Sequence, residues 1–202
     1  MESTAEIRRL LDVMPASGRM NTKIISKPEQ AQVIDSSLPL PWNQERTIFI
    51  NLDLLLRLSQ PQRDLIVLRT VCWLTGFKWF KPDIYQGVVV AGFLGAAVEL
   101  FQGDAVGVVV AGGLTAIATT QIWRGSRSSQ TELNADEAAI QIARRRGYNA
   151  TDAAQHLLSA IEAVAKIEGR PSLNFTELIR CQNLRAIAGL SAVGVPEEIK
   201  NQ

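Results

Sequence analysis

Ser59-Gln-Pro-Gln-Arg-Asp-Leu-Ile-Val-Leu-Arg-Thr-Val-Cys-Trp-Leu-Thr75 is the stretch whose reading decides the fold. It begins with a hydroxyl at a helix N-cap, a glutamine three residues on and a proline in the first turn. Leu65, Leu68, Val71 and Cys72 then recur at helical spacing, which predicts one helix to about Thr75 with an apolar face. Upstream, residues Glu6 to Met14 read as a short amphipathic helix stopped by Pro15, with Gly18 as a further breaker. Three β-like runs follow, Thr22 to Ser26, Gln32 to Asp35 and Thr47 to Asn51, and predict a small sheet. The proline-rich stretch Leu38 to Trp42 reads as a loop or an edge.

Downstream the composition changes abruptly. From Ile84 to Trp123 only Glu99 and Asp104 are charged among runs of Val, Ala, Gly and Leu. Split at Gln102-Gly103, the stretch gives two apolar segments, each near the roughly 20 residues that cross a bilayer. Lys78 and Lys81 precede it, Arg124 and Arg127 follow it, and the turn carries only acids, so both ends are expected on the cytoplasmic side. Gly87, Ala91 and Gly95, and likewise Gly103, Gly107 and Ala111, form small-residue ridges suited to close helix contact and to self-association. The alternative is a glycine-rich hairpin buried inside a soluble or oligomeric structural module. After Gly125 soluble character returns. Ser129-x-x-Glu132 reads as a second capping box opening a helix to Arg146, which Gly147 stops. Thr151 to Glu168 and a stretch from the Asn174-x-x-Glu177 box to about Ala188 predict two more helices, and the tail beyond Gly189 reads as irregular.

The fold class is therefore α+β and mostly helical. A small N-terminal sheet and a helical core are interrupted by an apolar hairpin, with parts at 1–83, 84–123 and 124–202. The 202 residues suit one interrupted domain, and 21 basic against 20 acidic side chains exclude a global pull toward nucleic acid. Cys72 and Cys181 lie far apart without metal-ligand spacing, which suits reduced thiols. The N-terminus lacks the apolar core of a signal peptide, so the chain is expected to start in the cytoplasm.

The order of parts, with Glu132-Leu-Asn-Ala-Asp136 on the second helix, resembles the membrane zinc peptidases of the CAAX-prenyl endopeptidase and heat-shock protease type. In those enzymes the first helix carries H-E-x-x-H, two zinc-binding histidines around a water-activating glutamate. The second helix supplies a third ligand and a conserved aspartate, which the resemblance carries onto Glu132 and Asp136. Counted from the Ser59 cap, the H-E-x-x-H window falls on Arg69-Thr70-Val71-Cys72-Trp73. Arg69 and Trp73 stand where histidines would be and Thr70 where the glutamate would be. Neither guanidinium nor indole offers a metal a lone pair, so no zinc, no cofactor and no catalysis are expected.

Arg69 is instead expected to pair with Glu132 or Asp136 in place of the metal. Otherwise Glu132 is a capping carboxylate and Asp136 an exposed helix residue. A metal site from Glu132, Cys72 and His156, which would make the chain a metallopeptidase with atypical ligands, matches no known spacing. The run Met14 to Met20, the stretch Ile24 to Gln30, the segment Phe77 to Pro82 and the run Asn174 to Leu190 also resemble a family of uncharacterised cyanobacterial proteins, a domain of unknown function. That likeness implies a plasma or thylakoid membrane. The aromatic and basic residues Lys78, Trp79 and Lys81 read as an interfacial belt, and Arg144, Arg145 and Arg146 as a helix end or a contact for anionic lipid or an acidic partner. The expected role is a non-catalytic membrane scaffold or assembly and quality-control factor that binds another membrane protein.

Overall fold

The computed structural model describes residues 2–36, 45–76 and 129–191. Packing divides the chain into one compact unit of Met1–Phe77 with Ser129–Gln202 and another of Lys78–Ser128. The apolar hairpin, Lys78, Trp79, Lys81, the proline-rich stretch at Leu38 to Trp42 and the tail from 192 on lie outside the described residues. Among the described residues no helix is long and apolar enough to cross a membrane.

The first unit is mostly helical with a three-stranded sheet. Its described elements are α1 (Glu2–Val13), α2 (Ala16–Asn21), β1 (Thr22–Ser26), β2 (Ile34–Ser36), β3 (Arg46–Ile50), α3 (Leu52–Leu55), α4 (Gln60–Gly76), α5 (Ser129–Arg145), α6 (Ala150–Ile167) and α7 (Phe175–Ile187). The strand order is β1-β3-β2, with β1 parallel and β2 antiparallel to β3. Ile24 stands opposite Ile48, and Asp35 opposite Phe49. The alternating residues Ile48 and Ile50 are fully buried, as the period of two requires of a strand with one face on the core.

Buried Asn51 fixes the end of β3. Its amide donates to the carbonyls of Pro28 and Gln30, each at 2.8 Å, while its Oδ1 accepts from the Leu54 N–H and caps α3. One side chain thus ties the β1–β2 connection to the start of a helix.

The helix quoted at the outset is α4, and it is less one-sided than its spacing implies. Asp64 to Leu68 and Thr70 to Leu74 are buried almost without interruption, because α5 and α6 pack along it and α1 and α2 also reach it. Only half of the expected Ser59 capping box is present, with Gln62 Oε1 accepting from the Ser59 N–H at 2.9 Å. Gln62 Nε2 reaches across to the Ser159 hydroxyl of α6 at 3.1 Å.

Several boundaries differ from expectation. The first helix starts at Glu2, since its Glu6–Arg9 pair and the buried Leu10 hold a longer amphipathic segment. Gly18 is not a breaker but sits inside α2, where a Cβ would meet Val71 Cγ1 at 2.6 Å. Its role is close approach of α2 to α4. β1 matches its β-like run at both ends, β2 begins two residues later and β3 one residue earlier than expected, and α3 was not foreseen. Ser129 lies within α5 and not at its cap. Gly147 ends that helix as expected, with φ +96° and the Tyr148 N–H donating to the Ala143 carbonyl at 3.1 Å.

Replacing Asn51 by Ala orphans two carbonyls and a helix N–H at once. The expected outcome is a loss of about 2–3 kcal/mol in urea unfolding, with the denaturant slope unchanged.

Candidate functional site

Glu132 and Asp136 are one turn apart on α5 and face the same way, toward α4. Arg69 of α4 meets them there, its Nη2 in contact with Glu132 Oε2 and its Nε 3.5 Å from Asp136 Oδ1. The guanidinium and the two carboxylates therefore share one surface, and neither Glu132 nor Asp136 is a bystander on an exposed face. Asp136 has no exposed surface at all.

A third helix completes the group. Arg180 of α7 donates from Nε and Nη2 to the two oxygens of Asp136, each at 2.8 Å, in a bidentate pair. The capping box of α7 holds this helix in place: Asn174 Oδ1 accepts from the Glu177 N–H and Glu177 Oε2 from the Asn174 N–H. The inward face of α7 then carries Ile179, Arg180, Cys181 and Leu184. Burial works against the charge on Arg180, but Asp136 overrides it and the net direction is up. Burial, with Arg180 as a like charge, pushes Arg69 down to about 9, so it remains a cation at neutral pH.

Such a group does not fit a divalent metal. Two cations flank the carboxylates, and both Asp136 oxygens already accept from Arg180. Thr70 is buried, its hydroxyl donating to the Ile66 carbonyl at 2.9 Å, and Trp73 is buried as well. Among the described residues no three His, Cys, Asp or Glu side chains converge as a metal site would require. Glu132, Cys72 and His156 are accordingly not brought together; the His156 ring stands edge-on to Tyr148 at 6.4 Å. Cys72 and Cys181 are free and buried. Burial pushes the Cys72 thiol up to about 12 and Cys181 up to about 11, which leaves both protonated and poor nucleophiles.

An open cleft of about 340 Å³ adjoins the group. Arg69, Arg170 and Arg180 line its polar side and Leu157, Ile161 and Val164 of α6 its apolar side. At its rim Arg170 bridges Glu168, at 2.9 Å, and Glu177, at 2.7 Å. Glu168 also accepts from the Val33 N–H at 2.9 Å, which ties the sheet to the end of α6.

Away from the cleft a second ionic junction binds the N-terminal helix. Asp64 of α4 accepts from Arg9 of α1 at 2.6 Å and from the Tyr148 hydroxyl at 2.9 Å, and Glu6 takes both Arg9 and Arg63. Burial first, and then Asp64, push the Tyr148 hydroxyl up to about 12. All three of the arginine triplet, Arg144, Arg145 and Arg146, are exposed, and Arg146 also donates to the Met14 carbonyl at 2.9 Å. Arg180, Asp64 and the Arg170 junction were not anticipated from sequence. A lone charge within an apolar run was the available signal for Arg180, in Leu178-Ile-Arg-Cys181.

A family model described as "Protein of unknown function (DUF3318)" matches residues 8–148. No curated protein and no solved structure matches the chain.

Asp136→Asn keeps the shape of the side chain and removes its charge between two guanidiniums. The expected outcome is a loss of about 3–5 kcal/mol in chemical unfolding. The acid limb of stability is set by Glu177 and Glu6. Burial opposes the charge of Glu177, but Arg170 and the Asn174 N–H outweigh it and lower its pKa from 4.5, and Arg9 lowers that of Glu6. Because the folded values lie below the unfolded ones, this stabilisation is complete above about pH 4.5 and is lost as pH falls through the folded values. Melting temperature should therefore drop below that pH, and less steeply in Glu177→Gln.

Proposed function

The chain belongs to the DUF3318 family of proteins of unknown function, and we propose that it is a non-catalytic, peptidase-like protein that binds another protein at a membrane. The observation that carries this reading is the fate of the two α5 carboxylates. Glu132 is in contact with Arg69, and Asp136 is gripped by Arg180. In a zinc peptidase of the resembled type these positions serve the metal. Here each is taken by a cation that has no lone pair to share and repels a divalent ion. A peptidase frame that has lost its metal retains a cleft and helix faces, and binding is what such surfaces do.

The membrane part of the reading rests on sequence. The apolar stretch from Ile84 to Trp123, its basic flanks and its acidic turn suit a hairpin with both ends in the cytoplasm. The likeness to cyanobacterial proteins directs it to a plasma or thylakoid membrane, where the partner is another membrane protein undergoing assembly or quality control. Small-residue ridges on the hairpin suit self-association.

Two measurements on the full chain test the two parts. Purified protein should contain no stoichiometric zinc and should not cleave unstructured peptides. Zinc at one per chain that disappears in Glu132→Gln would overturn the non-catalytic reading. On washing membranes with alkaline carbonate the protein should stay in the pellet, and its release would remove the membrane placement.

A further inference from the structure

The cleft beside Arg69 has two kinds of wall. Ile34, Ile66, Leu157, Ile161 and Val164 give it an apolar side, and Arg69 stands on its polar side. At about 340 Å³ it lies at the small end of the roughly 300–1,000 Å³ typical of ligand pockets. The partners of Arg69 leave it incompletely bonded. Its buried Nε and Nη2 both lack a hydrogen bond: Nη2 has only an ionic contact with Glu132, and Nε stands 3.5 Å from an aspartate whose two oxygens already accept from Arg180. A guanidinium is best matched by two parallel bonds to one carboxylate. Glu132, tethered to α5, supplies an ionic contact and neither of those bonds.

We propose that this cleft binds a small monocarboxylate with an apolar chain, its carboxylate pairing with Arg69 in competition with Glu132 and its chain lying along the α6 wall. Charge selects the monoanion. Exchanging Glu132 for an external carboxylate leaves the sum of charges around Arg69 unchanged, whereas a phosphate dianion would add a charge next to Glu168 and Glu177. A cationic ligand would face Arg69, Arg170 and Arg180 together. Chain length follows from the wall, which offers five aliphatic side chains and so rewards a chain of several methylenes. This small-molecule site goes beyond the protein-binding reading and does not depend on it.

Isothermal titration of the full chain with hexanoate, acetate, hexan-1-ol and N-acetyl-leucine tests the proposal, using wild type and Glu132→Gln. Hexanoate should bind saturably and about tenfold tighter to Glu132→Gln, since the competing carboxylate is gone. Acetate, without the chain, and hexan-1-ol, without the charge, should each bind at least about tenfold more weakly. N-acetyl-leucine tighter than hexanoate would assign the carboxylate to a peptide end, and the reverse order to a free aliphatic acid. Either order supports the shared chemistry. Val164→Asp, which puts a like charge on the wall, should abolish hexanoate binding.

Hexan-1-ol binding as well as hexanoate would overturn the proposal, as would a folded Glu132→Gln with unchanged or weaker affinity. So would hexanoate binding that survives Val164→Asp. If Val164→Asp fails to fold, the Glu132→Gln comparison still decides. Absence of saturable hexanoate binding to either folded protein also overturns it. Zinc content is untouched by any of these outcomes, so failure here is distinct from failure of the non-catalytic reading.

Discussion

The buried carboxylate of Asp136 is the constraint around which the helices are arranged. A lone ionised carboxylate in a protein interior is prohibitively unfavourable, and it persists only when paired and hydrogen-bonded. Asp136 meets that condition through a bidentate bond from Arg180 and the nearby guanidinium of Arg69. Because Arg69 belongs to α4, Asp136 to α5 and Arg180 to α7, a single desolvated charge fixes three helices relative to one another. The spacing of Glu132 and Asp136 by one turn lets the same face of α5 engage Arg69 twice.

Such an array gives register more than it gives net stability. Desolvating several charges offsets most of their mutual attraction, so an apolar set of equal volume would hold the helices about as well. What apolar contacts lack is a penalty for sliding, whereas a helix shifted by one turn here would strand a charge. The second junction works on the same principle in the first turns of α4. Asp64 collects Arg9 from the N-terminal helix and Tyr148 from the turn after α5, so the chain start and the turn are both indexed to the central helix. Around the junctions the filling is ordinary: Leu65, Leu68, Val71, Leu74, Leu157 and Leu184 are fully buried.

Features with local causes were legible in the sequence, and those with distant causes were not. The Asn174–Glu177 capping box and the glycine stop at Gly147 are complete within a few residues, and both were read correctly. The small sheet was also legible, because the runs at β1 and β3 are rich in Ile and Thr; β1 matched its run end to end and β3 shifted by one residue. Gly18 was misread because its reason lies in Val71, far along the chain, and not in its neighbours. The pairing of Arg69 with Glu132 was legible only through the resemblance that aligned the two helices. The burial of Asp136 depended on Arg180, 44 residues later, which no local pattern connects to it. Likewise the near-complete burial of α4 reflects how many elements surround it, a quantity that its own spacing does not encode.

Arg69 on α4 and Glu132 on α5 hold their two helices together by charge. A double-mutant cycle on Arg69→Met and Glu132→Gln, read by urea unfolding of the full chain, measures that link directly. The account predicts a coupling of at least about 1 kcal/mol, with the double variant more stable than the sum of the single losses. Additive losses, with coupling near zero, would contradict it.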